Sequence, residues 1–216
     1  IVVGHSTPKL VATADETNTK SFDEMSEQEI NLSLTRLGAE VPTTYTGPLT
    51  KDYTFNIEPE TEYLVYVIPI DKEGQMGKVT YKRITTLKPA FEGTGEVTSV
   101  EIPDQTSIKT LGIKLQVNDK AKSVRVLCLP QATFYNLDID WVMASESART
   151  KYWDEYTVDE LDKLSTEGLI ISHPGDLYFL RATTVDADGK LSAVVDLADK
   201  AGKGKNGINT KEKEEE

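Results

Sequence analysis

Apolar side chains in this chain alternate with polar ones more often than they recur at helical spacing. Leu111, Ile113, Leu115 and Val117 alternate with Gly112, Lys114, Gln116 and Asn118, the period of a strand with one face in a core. Val124, Val126 and Cys128 continue the pattern, and residues 97–102 predict a further strand. Runs rich in β-branched and aromatic residues start at Tyr63 and Tyr178, each entered through a Pro turn and left through an Asp-x-x-Gly turn. A second strand-like run follows each, at 78–86 and 191–197, so each predicts a β-hairpin.

The two hairpins are copies of one another. Residues 59–74 match 174–189 at a constant offset of 115, aligning Pro59 with Pro174, Tyr63 with Tyr178, Asp71 with Asp186 and Gly74 with Gly189 without a gap. A helix start precedes each copy. Ser26 with Glu29, and Thr157 with Glu160, are N-cap pairs, and Met25 against Ile30 and Tyr156 against Leu161 form hydrophobic staples. Ile30, Leu34 and Leu37 then share a helix face that Gly38 is expected to end, as Leu161, Leu164 and Gly168 do in the second copy. Strand-like runs at 1–3 and 124–129 come before the two helices. The second copy has two more strands upstream, whereas the first is expected to lack them.

A Pro- and Gly-containing stretch at 87–95 marks the boundary between copies. The expected organisation is a first unit at 1–88, a second at 89–198 with an insertion at about 131–168, and a flexible charged tail at 199–216. The longest apolar run, six residues from Tyr63 to Ile68, is far short of the roughly 20 that span a bilayer. The sequence opens at Ile1 without an initiator Met or signal peptide, so the expectation is that any targeting segment was removed or never belonged to it.

The run Ile57, Pro59, Thr61, Tyr63 resembles the fibronectin type III pattern in which an apolar residue, a Pro and a Thr lead into the tyrosine of strand F. The resemblance implies that Tyr63 and Tyr178 form structural tyrosine corners, each hydroxyl bonding back to upstream backbone. An immunoglobulin domain would carry Cys two residues later, where this chain has Val65 and Leu180. With a helix between strands C and E, the two copies resemble the tandem modules of secreted, often lipid-anchored surface proteins of Bacteroidetes. The implied fold is mainly β: two immunoglobulin-like, fibronectin type III-like β-sandwiches, each with a short helical insertion, the first lacking strands A and B. The implied setting is secreted or anchored at the bacterial outer surface, with membrane attachment only through a removed N-terminal lipid anchor.

Charge narrows the partners. With 24 Lys and Arg against 36 Asp and Glu the net charge is −12, which disfavours nucleic acid. Residues 12–40 and 136–167 carry net −5 and −6, so the acidity belongs to the helical insertions. The single Cys128 cannot form an intramolecular disulfide, and its alternation with Val124 and Val126 makes it a small core residue. His5 and His173 lie outside any metal-ligand spacing. Asp186-Ala187-Asp188-Gly189 opens like a calcium loop, but no bidentate Glu follows, and hairpin geometry accounts for it. No catalytic residue, metal or cofactor is expected.

The remaining concentration is aromatic. Six of the 16 aromatic residues fall between Phe134 and Tyr156, including both tryptophans. Trp141, Tyr152 and Trp153, with Asp138 and Asp140, are the candidate ligand contacts, because aromatic faces beside carboxylates suit sugar stacking and protein hot spots. Burial as anchors of the insertion is the competing reading for each Trp. The expected function is a non-catalytic cell-surface module binding a glycan or a protein through this insertion. The alternatives are a structural spacer or strand-donation assembly subunit, and an accessory region of a larger glycan-processing enzyme.

Overall fold

A computed structural model describes residues 1–6, 11–12, 19–20, 22–41, 46, 55 and 57–213. The chain is mainly β, with several antiparallel sheets, and divides into two compact units, Ile1–Leu87 and Lys88–Glu216. No described helix is long and apolar enough to cross a membrane.

The first unit runs β1 (Val2–Ser6), a short antiparallel pair of β2 (Val11–Ala12) and β3 (Thr19–Lys20), α1 (Glu27–Ala39), β4 (Glu62–Ile68) and β5 (Thr80–Thr85). Its main sheet has the order β1-β4-β5. The helix begins where the sequence places it: Ser26 Oγ accepts the Glu29 N–H at 3.2 Å, and the Glu29 carboxylate accepts the Ser26 N–H at 2.7 Å. Ile30 and Leu34 turn inward onto Val2, Leu64, Tyr66, Ile68 and Val79. Gly38 does not end the helix, which runs to Ala39. A Cβ there would collide with the Ile68 side chain, so this glycine lets α1 lie close to the sheet.

The second unit contains β6 (Val97–Glu101), β7 (Thr110–Leu111), β8 (Lys114–Val117), β9 (Ala121–Pro130), α2 (Gln131–Phe134), α3 (Ile139–Ala144), β10 (Trp153–Thr157), α4 (Lys163–Thr166), β11 (Leu169–Ile170), β12 (Leu177–Asp186), β13 (Val195–Asp196), α5 (Leu197–Lys200) and β14 (Ile208–Asn209). One sheet has the order β10-β9-β12-β13, while β6 pairs with β8 and β11 with β7. The alternation at 111–117 is realised: Leu111, Ile113 and Leu115 are buried against Val124, Val126, Leu180 and Ala182 of β9 and β12. The second N-cap pair also forms, the Glu160 carboxylate accepting the Thr157 N–H at 3.0 Å. It starts only a 3-10 turn followed by the four-residue α4, which Gly168 ends at φ +74°.

The internal repeat is present in three dimensions. Tyr63 Oη accepts the N–H of Glu58, and Tyr178 Oη that of His173, each five residues upstream and each at 2.9 Å. Asp71 Oδ1 accepts the N–H groups of Glu73 and Gln75, and Asp186 Oδ1 those of Asp188 and Lys190, closing the same turn twice around Gly74 and Gly189. Strand register repeats as well. Val67 lies opposite Val3, and Ala182, its counterpart, lies opposite Val126.

The tail expected to be flexible beyond residue 198 is instead tied to the second unit as far as it is described. Asn209 and Ile208 pair with Leu177 and Tyr178. Thr210 Oγ1 accepts the Gly175 N–H at 3.0 Å and donates to the Asp176 carbonyl at 2.7 Å, while the Lys211 N–H donates to Gln105 Oε1 at 2.8 Å. Backbone pairing supplies what composition conceals, because a strand can dock through main-chain hydrogen bonds with few apolar side chains. Gly207 makes the approach possible, since a Cβ would sit 2.6 Å from the Tyr178 carbonyl oxygen.

Tyr63→Phe and Tyr178→Phe each leave a backbone N–H without its acceptor. Each is expected to cost about 1–3 kcal/mol, read as a lowered urea midpoint with unchanged slope. Wild-type midpoints in both would show that the two hydroxyls are dispensable.

Candidate functional site

The insertion of the second unit covers the face of β9 opposite the main core. Alternation along β9 sends Val124 and Val126 to one face and Arg125, Leu127 and Leu129 to the other. On that second face Leu127 and Leu129 pack with Val142 and Met143 of α3, Ala148 and Trp153. Two buried faces explain why β9 is apolar from Val124 to Leu129 apart from Arg125.

Trp153 is the centre of this cover and is only 1% exposed. Its indole Nε1–H donates to the Val142 carbonyl at 2.8 Å, and the Arg125 and Arg149 guanidiniums lie 4.3 and 5.4 Å from its ring centroid. Arg125 is itself buried and uses its whole fork: Nη1 donates to the Met143 carbonyl at 2.8 Å, Nη2 to Glu146 at 2.7 Å and Nε to Glu155 at 3.1 Å. Arg149 completes the network through Glu155 at 2.7 Å. A buried guanidinium is tolerable because each of its three nitrogens meets an oxygen. The network ties α3, the following turn and β10 to β9.

The structure therefore reassigns several candidate contacts. Trp153 cannot stack on a ligand while the cover is closed: burial beneath Arg125 and Arg149 makes it an anchor. Trp141 is half-buried on the edge of the same cluster, and Tyr152 is half-buried with the Lys151 ammonium 5.0 Å from its ring. Asp138 is the N-cap of α3, its carboxylate accepting the Trp141 N–H at 3.2 Å, which explains its position without a ligand. Asp140 is exposed in the first turn of α3. The three aromatic candidates are brought to one cluster, and the two acids are not brought together as a pair.

Two features went unpredicted. One is Arg125, whose signal is a lone charge within the otherwise apolar stretch 124–129, with acids clustered at 146–155. The other is Tyr135, the one exposed aromatic among the described large hydrophobics, at 66%. Its ring lies 5.9 Å from Phe134 and 5.3 Å from Phe179, and Phe134 stacks on Phe179 at 4.6 Å and 14°. The Arg181 guanidinium, paired with Asp196 at 3.3 Å, lies 4.9 Å from the Phe134 ring centroid. The pairing partner of Phe179 is Leu129, so this aromatic group also grows from the covered face of β9 and β12.

On the other face Cys128 packs at the margin of the main core, and loss of water around the thiol pushes its pKa up to about 12. That protonated thiol is a poor nucleophile. No protein-family model matches this chain, and no curated protein sequence does.

Trp153→Ala is expected to destabilise the second unit by about 3–5 kcal/mol and to remove much of the near-ultraviolet circular dichroism; a variant as stable as wild type would show that the indole is not the anchor. Iodoacetamide at pH 8 should label native Cys128 about a thousandfold more slowly than the urea-unfolded chain, the ratio of thiolate set by three pH units. Equal rates would place the thiol in water.

Proposed function

We propose that the chain is a non-catalytic, surface-displayed binding protein of bacterial origin, built from two fibronectin type III-like β-sandwich modules. Several observations support the modular reading. In the second unit β6-β8 and β7-β11 match an A-B-E sheet, and β10-β9-β12-β13 matches C′-C-F-G. In the first unit β1-β4-β5 matches C-F-G, and the tyrosine hydroxyl bond recurs in both. The surface setting rests on the sequence resemblance alone.

Recognition is assigned to the insertion of the second unit, and the observation that carries it is the exposed ring of Tyr135 packed on the Phe134 and Phe179 rings. An aromatic side chain already held by neighbouring rings loses little rotamer freedom on binding, while offering apolar area and a hydroxyl. Such residues dominate protein interfaces. The insertion is suited to present it, because the Arg125 network and Trp153 hold the segment against the sheet. A protein partner is the favoured ligand for this projecting ring.

Tyr135→Ala removes exposed surface and should leave thermal stability within about 0.5 kcal/mol of wild type. It is expected to weaken capture of a surface protein from a cognate bacterial envelope extract at least tenfold, read by titration of the purified partner. Undiminished affinity in Tyr135→Ala would remove this surface from the interface.

A further inference from the structure

We infer that the cleft between β10 and β11 is a carbohydrate site that takes a neutral glycan. It lies away from Tyr135, which does not line it, and so stands independently of the protein-binding surface. The cleft has a volume of about 430 Å³, within the roughly 300–1,000 Å³ of small-ligand sites.

Topology creates it. Among the described strands β10 pairs only with β9, and β11 only with β7, so the cleft runs between two sheet edges where the main core comes close to the surface. Its floor is apolar, with Val126 and Leu169 at 3% and 6% exposure. Its walls carry Lys151 and Tyr152 from the turn before β10, Asp154 and Tyr156 from β10, and Glu167 from the end of α4. The β-strand period puts Asp154 and Tyr156 on the same side of β10, two residues apart.

These groups fit a sugar. A pyranose has apolar C–H faces that pack on aromatic rings and a rim of hydroxyls that needs both acceptors and donors. Tyr152 and Tyr156 supply ring surface, Asp154 and Glu167 supply acceptors, and Lys151 supplies a donor. The Tyr156 hydroxyl is protonated at neutral pH and can donate; burial first, and then the negative charges of Asp154 and Glu167, raise its pKa above the usual value. Two acids against one lysine leave the walls net negative, which disfavours sialylated, uronic or sulfated glycans.

The test is a glycan microarray holding neutral hexose and N-acetylhexosamine oligosaccharides beside sialylated and sulfated ones, followed by calorimetric titration of the tightest neutral oligosaccharide. Asp154→Asn and Glu167→Gln keep side-chain shape at exposed positions, so thermal melts should match wild type. Each is expected to weaken binding about tenfold or more, and Tyr152→Ala likewise, with Tyr135→Ala unchanged. Four outcomes would overturn the inference: no neutral oligosaccharide bound, acidic glycans preferred, affinity unaltered by all three cleft substitutions, or a peptide occupying the cleft in place of sugar. If Tyr135→Ala alone loses binding, the third of these outcomes has occurred and the insertion, not the cleft, is the recognition element.

Discussion

The second unit depends on one strand being buried on both faces. β9 sends Val124 and Val126 into the main core and Leu127 and Leu129 into a second one, and each face needs its own cover. The strands β6, β7, β8 and β11 cover the first face. The second is covered by the segment between β9 and β10, which explains why that segment is rich in aromatics: a thin layer of short helices must fill much volume with few residues. Arg125 is the cost of this arrangement, a charge on a face that folding dries. Two carboxylates, a carbonyl and an indole ring surround it, and the same contacts fasten the cover.

The first unit solves the same problem with a single helix. Leu64, Tyr66 and Ile68 face α1, and their counterparts in the second unit, Phe179, Arg181 and Thr183, lie on the face of β12 opposite the main core. Tyr66 and Ile68 are buried by Ile30 and Leu34 of a regular 13-residue helix. In the second copy Arg181 at the Tyr66 position and Thr183 at the Ile68 position require polar partners, and Asp196 and the Ser192 carbonyl provide them. The two hairpins thus differ on their outer faces, while the turns and the tyrosine hydroxyl bond are alike. The reason is physical: turn geometry and the backbone N–H it satisfies tolerate few side chains, whereas a covered face tolerates any set that packs.

The two proposed recognition surfaces both lie where the cover stops. Tyr135 projects beyond the aromatic layer that holds it, and the cleft opens where β10 and β11 have no further partner among the described strands. Both lie at the margins of buried clusters, where rigid neighbours fix side chains that still meet water. The acids at 136–167 have several tasks: Asp138 and Glu160 cap helical turns, Glu146 and Glu155 neutralise buried or partly buried arginines, and Asp154 and Glu167 line the cleft.

Local and periodic features were legible in the sequence by itself. The N-cap at Ser26, the Asp-x-x-Gly turns, the alternation at 111–117 and the Pro-to-Tyr entries at Tyr63 and Tyr178 each depend on side chains a few residues apart, so short-range chemistry determines them. Gly38 was misjudged because its task is set by Ile68, thirty residues away, and the tail because its docking is made by backbone. For Trp153 the sequence left two readings open, ligand contact and buried anchor, and the second is the one realised. Composition determined that this segment holds large aromatic rings beside acids. Only tertiary structure decided that Trp153 turns inward beneath two guanidiniums while Tyr135 turns out, because the face a ring occupies is set by the strand it packs on, and β9 needed a cover on both sides.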